Sequence, residues 1–460
     1  MVSLKHSRPR PPLNTGPIFV TIVIASLMTF GGWPGWFNND SRGMQLEAIQ
    51  GDISDWHSPV LTWFWSFLLP SNEQLVLPYL LQILVFWTGV FLIVIFATRP
   101  MGWWAALIPA LTLGADHLWE INWLSKDAVA LSLVVFSLGL FASSLRITQV
   151  SIRFAIVGVA LFVLASISIA RWYLLPACCV LMFAYLWTFP HQRGRVLYGR
   201  LGLLAIFLIG SFWPIFAEGL VVRPSKSFHS SSTQLLDLWR ASCLTNEARA
   251  SDSKFPKKLI VRRSEPICTS FSPFIWNEVN EEWQGQDSTI TSVRLPKNET
   301  EEDAIRSAWF QTIRTDWPTL LYSRVMTATQ LLRPAEYWTV TGSLEPVETS
   351  NARLTIARIP SEVLASGGVV TNLLRNGALY VLVLPMVVGI VVWRRARLQV
   401  PWIFIALAFP ITWVANMALV APAIDTRYVA PAIGASIYLA FIALSVTSPK
   451  MQNTRRAGGI

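Results

Sequence analysis

Runs of apolar residues recur along this chain at 17–33, 74–97, 103–115, 128–145, 154–170, 173–189, 201–217, 376–393, 401–420 and 428–447. Segments of this kind, separated by short polar turns, leave few folds open. In hydrocarbon every backbone N–H and C=O needs a partner, which a helix supplies within one segment. The runs read as about ten transmembrane helices. Several fall short of the ~20 residues that cross a bilayer comfortably, so their ends are loosely set. Charge agrees. Only 14% of the 460 residues are charged and 53% are hydrophobic, where a soluble domain carries about 25% charged residues. The expected fold class is an all-α polytopic membrane protein.

The placement of the basic residues orients it. Lys5, Arg8 and Arg10 precede the first run. Arg99 follows the second, Arg146 and Arg153 the fourth, and Arg193, Arg195 and Arg200 the sixth. Arg394, Arg395 and Arg397 follow the eighth, and Lys450, Arg455 and Arg456 the tenth. Every even-numbered exit is basic, which puts both termini in the cytoplasm. The first run ends in Gly-Gly-Trp-Pro rather than a small-residue cleavage site, so it is read as a span. Although the net charge is +10, these cations sit at span ends rather than on one face of a soluble domain, which argues against nucleic-acid binding. The expected organisation is a transmembrane module over 1–217 with a first outer loop at 34–73, an extracytoplasmic α or α+β domain over 218–375, and further spans over 376–460. Of the four cysteines, Cys178 and Cys179 fall inside a span, while Cys243 and Cys268 share the outer domain, where an oxidising compartment would let them pair.

Polar groups gather at the outer ends. Asp40, Arg42, Glu47, Asp52, Asp55 and His57 crowd the first outer loop, flanked by Trp33, Trp36, Trp56, Trp63 and Trp65. Tryptophan favours the membrane–water boundary, so this loop is expected against the membrane as two short helices, one over 41–50 and one opened by Ser58-Pro59, with Ser58 as its cap. A second outer turn, 115–131, holds Asp116, His117, Glu120, Lys126 and Asp127. A third carries Arg171-Trp172-Tyr173, and the last carries Asp425, Arg427 and Tyr428. All face one side, which permits a shared polar site. Residues 304–333 have helical spacing interrupted at Asp316-Trp317-Pro318. There is no zinc spacing and no glycine-rich phosphate loop in the outer domain, and no internal repeat of the kind secondary transporters show. Asn298-Glu299-Thr300 fits a glycosylation triplet that is common by chance.

Asn39-Asp40, followed by Ser54-Asp55-Trp56-His57-Ser58-Pro59-Val60, resembles the first outer loop of GT-C superfamily glycosyltransferases, in particular the protein O-mannosyltransferase-like members and bacterial enzymes that use polyprenyl-phosphate sugars. Those carry an acidic residue after the first span and then Asp-x-His-Pro-Pro-Leu opening a helix. Asp40 matches the first position, and Asp55, His57 and Pro59 match the second motif, while Ser58 replaces a proline and Val60 a leucine. Ser125-Lys126-Asp127 resembles a Trp-Lys-Asp element of such proteins, and Asp425-Thr426-Arg427-Tyr428 with Pro431 resembles their Arg-Tyr…Pro element. Trp317-Pro318…Tyr322…Arg324 is a weaker match to a Pro…Tyr…Arg pattern. The sharp motifs cover about thirty residues.

The resemblance implies transfer of a sugar from a polyprenyl-phosphate donor to a glycan, lipid or protein acceptor on the outer face of an inner or cytoplasmic membrane. An acceptor hydroxyl sheds a proton as it attacks, and a placed carboxylate takes it; Asp40 is the expected base, with Asp55 and His57 beside it. The departing lipid phosphate needs cations, and Lys126, Asp127, Arg171, Arg427 and Tyr428 form the expected phosphate-binding set. No cofactor is required, and a divalent metal between Asp40 and Asp55 stays open because no spacing demands one. Each residue also has a structural reading. Asp40 can cap a helix, Asp55 and His57 can brace one, Arg171 can snorkel to headgroups, and Asp425 can pair with Arg427. A lipid-linked glycan polymerase or ligase and a lipid-linked sugar transporter or flippase are the alternatives; the latter would place charges in mid-span.

Overall fold

The computed structural model describes residues 14–33, 35–36, 39–55, 58–69, 76–188, 195–225, 234–235, 237–238, 241, 296, 298–332, 376–396, 401–420 and 426–448. Among them the chain is helical, with two isolated bridges in place of any sheet. Most of 218–375, including Cys243 and Cys268, lies outside the described residues.

The helices follow the apolar runs. They are α1 (Gly16–Gly32), α2 (Asn39–Gln50), α3 (Pro59–Leu68), α4 (Val76–Met101), α5 (Leu107–Gly114), α6 (Lys126–Ser144), α7 (Val150–Ala165), α8 (Ser168–Arg171), α9 (Leu175–Trp187), α10 (Arg195–Ala217), α11 (Glu299–Leu331), α12 (Leu384–Ala396), α13 (Pro401–Leu407), α14 (Phe409–Val420) and α15 (Ala430–Val446). Among the described residues, five stretches are long and apolar enough to cross a membrane: Val76–Gly114, Lys126–Ser144, Val150–Arg171, Tyr198–Val222 and Pro401–Leu419. The second and third runs join in the first of these, turned at Gly102 (φ +62). The remaining apolar runs form shorter helices, α1, α9 and α15 among them.

Packing centres on α4, α6 and α15. At the α4–α6 crossing a Cβ on Gly89 would lie 2.6 Å from the Val135 carbonyl, and one on Gly139 would lie 2.6 Å from the Gly89 oxygen. Only bare glycine lets the two backbones approach this closely, the usual device where helices pack without water between them. Helix α15 is buried without a break from Ala430 to Ala443. An all-round apolar helix has no solvent face to offer and becomes the centre of its bundle. Two of its polar side chains find partners: Tyr438 and Thr112 hydroxyls lie 3.0 Å apart, and Ser436 donates to the Tyr380 carbonyl. The outside is apolar too, with Phe19, Leu84, Phe216 and Met386 more than half exposed. Large apolar groups turned outward on several helices suit a hydrocarbon surround rather than water.

The expected break at Asp316-Trp317-Pro318 is present. Asp316 leaves helical geometry (φ −141°, ψ 36°) inside α11, and its carboxylate accepts a 2.6 Å bond from the Thr319 hydroxyl, restarting the helix ahead of Pro318.

Candidate functional site

The first outer loop forms the expected pair of helices, α2 and α3, with a connection from Gly51 that includes the described residues up to Asp55. It folds back onto three other segments. Trp36 makes an isolated parallel bridge with Trp123: its N–H donates to the Asn122 carbonyl at 2.8 Å, and its carbonyl accepts from Leu124 N–H at 3.0 Å. The indole lies flat against Trp119 (centroids 6.2 Å, planes 11° apart) and edge-on to Trp123 (5.6 Å, 80°). Trp36 and Trp65 are buried rather than spread at a membrane boundary. These two indoles join the core because this part of the loop turns inward over the bundle, whereas Phe64 and Phe67 stay exposed.

Three side-chain and backbone contacts extend the docking. The Ser41 hydroxyl donates to the Leu124 carbonyl. Ser54 bridges to Ser225, with Asp55 N–H donating to the Ser225 carbonyl at 3.0 Å. Ser58 caps α3, accepting from Leu61 N–H at 3.4 Å, and also donates to the Ile169 carbonyl. The first loop therefore touches the Asn122–Ser125 turn, the end of α8 and the segment after α10.

At that junction lies a buried ion pair. Arg171 ends α8 and Asp127 sits in the first turn of α6, which Ser125 caps through a 3.1 Å bond from Ala128 N–H. Arg171 Nε donates to Asp127 Oδ1 at 2.6 Å and Nη2 to Oδ2 at 2.9 Å, with 7% and 3% of the two side chains exposed. The bidentate fork is the strong geometry for guanidinium and carboxylate. Nη1 donates to the Tyr173 hydroxyl, and the Tyr428 ring lies 4.5 Å beneath the guanidinium carbon. Helix α14 holds both aromatics by their backbones: Asn416 donates to the Tyr173 carbonyl and Trp413 Nε1 to the Tyr428 carbonyl at 2.9 Å.

The structure thus brings Asp127, Arg171 and Tyr428 together, with half-buried Lys126 opening the same helix as Asp127. Asp40 lies in the first turn of α2, one residue before Ser41, so its backbone is beside the Leu124 turn; its side chain lies outside the described residues. His57 and Asp425 lie outside them altogether, as does the side chain of Arg427, whose backbone forms a 3₁₀ turn with Tyr428. Asp55 is described and its backbone is bound to Ser225. Among the described residues no three His, Cys, Asp or Glu side chains come together in a metal-holding group.

Glu47 is half-buried, accepts a 2.5 Å bond from the Ser54 hydroxyl, and its other oxygen has no hydrogen-bond partner among the described residues. Burial pushes its carboxyl above the usual carboxylate range, Ser54 offsets part of this, and the charges of Asp52 and Asp55 add to the rise.

Sequence reasoning missed Asn416 and Trp413, although a lone amide inside the 401–420 run was a visible signal. It also missed the amide pair that supports the turn: Gln82 Nε2 donates to the Ile121 and Trp123 carbonyls at 2.7 and 2.9 Å, and the Tyr79 hydroxyl lies 3.1 Å from Asn122 Oδ1. A second buried ion pair was missed too. Arg324 of α11 binds Asp237, which also accepts from Trp309 Nε1 at 2.9 Å, and Arg324 Nη1 lies 3.4 Å from the Ala418 carbonyl near the end of α14.

No family model and no curated protein matches the chain. Among solved structures it is similar to the archaeal oligosaccharyltransferase AglB from Archaeoglobus fulgidus in complex with an inhibitory peptide and a dolichol-phosphate, at 11% identity and a TM-score of 0.41. The match covers 96% of this chain and 51% of that one, so the chain spans about half the length of that structure.

Proposed function

We propose that the chain is a membrane glycosyltransferase that moves a sugar from a polyprenyl-phosphate donor to an acceptor hydroxyl on the outer face, with both termini in the cytoplasm and about ten spans. The reading is carried by the docking of the first outer loop onto the edge that holds Lys126, Asp127, Arg171 and Tyr428. A carboxylate-bearing loop and a cationic, aromatic-walled edge, meeting where apolar helices end, supply a base and an anion site next to lipid.

The acceptor oxygen attacks the anomeric carbon, the bond from that carbon to the phosphate oxygen breaks, and the hydroxyl proton passes to Asp40. A single displacement inverts the anomeric centre. The donor phosphodiester carries one negative charge and the departing lipid phosphate gains a second, so a fixed cation favours the products' side of the step. Because Asp127 already meets the charge of Arg171, that work falls chiefly to Lys126 and Arg427. Arg171 orders Tyr173 and Tyr428 as walls of the phosphate site, and His57 and Asp55 complete the loop side.

The test uses purified protein in vesicles with a panel of polyprenyl-phosphate sugars, following release of free polyprenyl phosphate. Asp40→Asn is expected to lower turnover by roughly 10²–10⁴, the weight of a placed general base. Unchanged turnover in that variant removes Asp40 as base, and absence of release from every donor by the unaltered protein removes the reading.

A further inference from the structure

The far end of α4 carries a polar feature that the proposed reaction does not use. Tyr79, near the start of α4, touches the outer turn at Asn122. Arg99 stands twenty residues further along the same helix, roughly 30 Å away at 1.5 Å per residue. Arg146, just past the end of α6, reaches back to this end of α4. Its Nη1 donates to the Ile95 carbonyl at 3.1 Å, its Nη2 donates to the Phe96 carbonyl, and its guanidinium carbon lies 4.7 Å from the centre of the Phe96 ring. Arg99 is exposed and sits one helical turn beyond Ile95, on the same face. The two cations feel each other: burial and the charge of Arg99 together push Arg146 down to about 10.

Among the described residues no carboxylate compensates either charge. Among the described residues the ion pairs join Arg171, Arg306 and Arg324 to carboxylates, and none involves Arg99 or Arg146. The carbonyls that hold Arg146 satisfy its hydrogen bonds, but a helix C-terminus supplies only about half an elementary charge. Two full positive charges face it. Immediately beyond, the Gly102 turn presents Trp103 and Trp104, 63% and 68% exposed, the side chains that mark a membrane–water boundary. This end of the helix therefore lies at headgroup depth with two arginines that no carboxylate among the described residues pairs.

We propose that Arg99 and Arg146 form a binding site for the headgroup of an anionic phospholipid, in the leaflet at the C-terminal end of α4. Guanidinium groups suit phosphate because their donors match its oxygens two at a time. The Ile95 and Phe96 carbonyls hold Arg146 in place, Arg99 supplies the open donors, and the acyl chains run along the apolar flank of α4, where Leu84 and Ile95 are exposed. The positions of the basic exits put this leaflet on the cytoplasmic side, away from the sugar-transfer site.

The experiment reads thermal unfolding of the full chain in zwitterionic detergent as phosphatidylglycerol is added, beside phosphatidylcholine and inorganic phosphate. Phosphatidylglycerol is expected to raise the unfolding midpoint where the other two do not. Arg99→Gln should weaken apparent binding roughly fivefold, the weight of one cation beside an anionic lipid surface, with its midpoint in zwitterionic detergent unchanged. Arg394→Gln, at another basic exit, should keep the full response. Equal stabilisation by phosphatidylcholine overturns the site, as does an equal response to inorganic phosphate or an equal loss in both variants. An undiminished response in Arg99→Gln overturns it as well.

Discussion

Arg171 and Asp127 grip each other at two points, Nε to Oδ1 at 2.6 Å and Nη2 to Oδ2 at 2.9 Å, with neither side chain more than 7% exposed. The pair joins the end of α8 to the first turn of α6, and both side chains are buried. Asp127→Ala should therefore destabilise the protein by about 3–5 kcal/mol, the usual cost of stranding one buried charge. The Asp127→Leu/Arg171→Leu double variant should lose less than the sum of the two single Leu variants, because it strands nothing. Thermal or denaturant unfolding in detergent measures both, and additive losses would show that the two groups act separately.

Ser58 stands where the resembling loops carry proline, and the structure gives the serine two tasks. It accepts from Leu61 N–H as the cap of α3 and donates to the Ile169 carbonyl. Ser58→Ala should cost about 1 kcal/mol for the cap and a similar amount for the lost bond to α8. Ser58→Pro keeps a residue suited to the start of a helix but cannot reach Ile169, so it should loosen the loop. Faster limited proteolysis between α2 and α3 in the proline variant than in the parent is the expected result.

These elements show what the sequence made legible. The apolar runs placed the helices, and Ser58-Pro59 and Asp316-Trp317-Pro318 marked a start and a break through local backbone rules that need no knowledge of the fold. That Asp127, Arg171 and Tyr428 stand at helix ends was legible as well. What they join was not. Asp127 and Arg171 are 44 residues apart on different helices, and no periodicity encodes which cation meets which carboxylate. Trp36 had the composition of a boundary residue, yet it is sandwiched by Trp119 and Trp123, because burial of a loop is decided by what it packs on. Asn416 stood out as a lone amide inside an apolar run, but what it and Trp413 hold did not, because their partners are backbone carbonyls and every residue has one.

Glu47 should give the first loop a pH-dependent hold. Its folded carboxyl is raised by burial, so the folded state binds its proton more tightly than the unfolded chain does. Between the unfolded and folded values the native state holds more protons, and stability falls as pH rises through that window. The contribution is complete below the ordinary carboxylate value and lost above the raised one. Glu47→Gln keeps a polar side chain but no longer titrates. Its unfolding midpoint should fall less than the parent's as pH rises from the ordinary carboxylate range to neutrality, and parallel curves for the two proteins would contradict this.

Helix α11 connects to the Asp127–Arg171 pair through α14. Helix α14 grips Tyr173 through Asn416 and Tyr428 through Trp413, so both aromatic neighbours of Arg171 hang on it. Its final turn is in turn held by Arg324, which lies 3.4 Å from the Ala418 carbonyl and binds Asp237. Arg324 and Asp237 are both buried, so Asp237→Ala leaves a buried cation against the C-terminal carbonyls of α14 and should cost about 3–5 kcal/mol. Part of the damage should appear at a distance. Trp413 is nearly fully buried, and its emission should shift if α14 moves. Because the chain holds 22 tryptophans, the shift is read as the difference between the parent and Asp237→Ala, each compared with its own Trp413→Phe version. Asn416→Ala is the control: it cuts the link to Tyr173 while leaving Arg324 and Asp237 paired. If α14 carries the connection, Asp237→Ala and Asn416→Ala each weaken binding of polyprenyl phosphate, and their effects together are less than the sum. Full additivity would show that the outer segment and the ion pair are held independently.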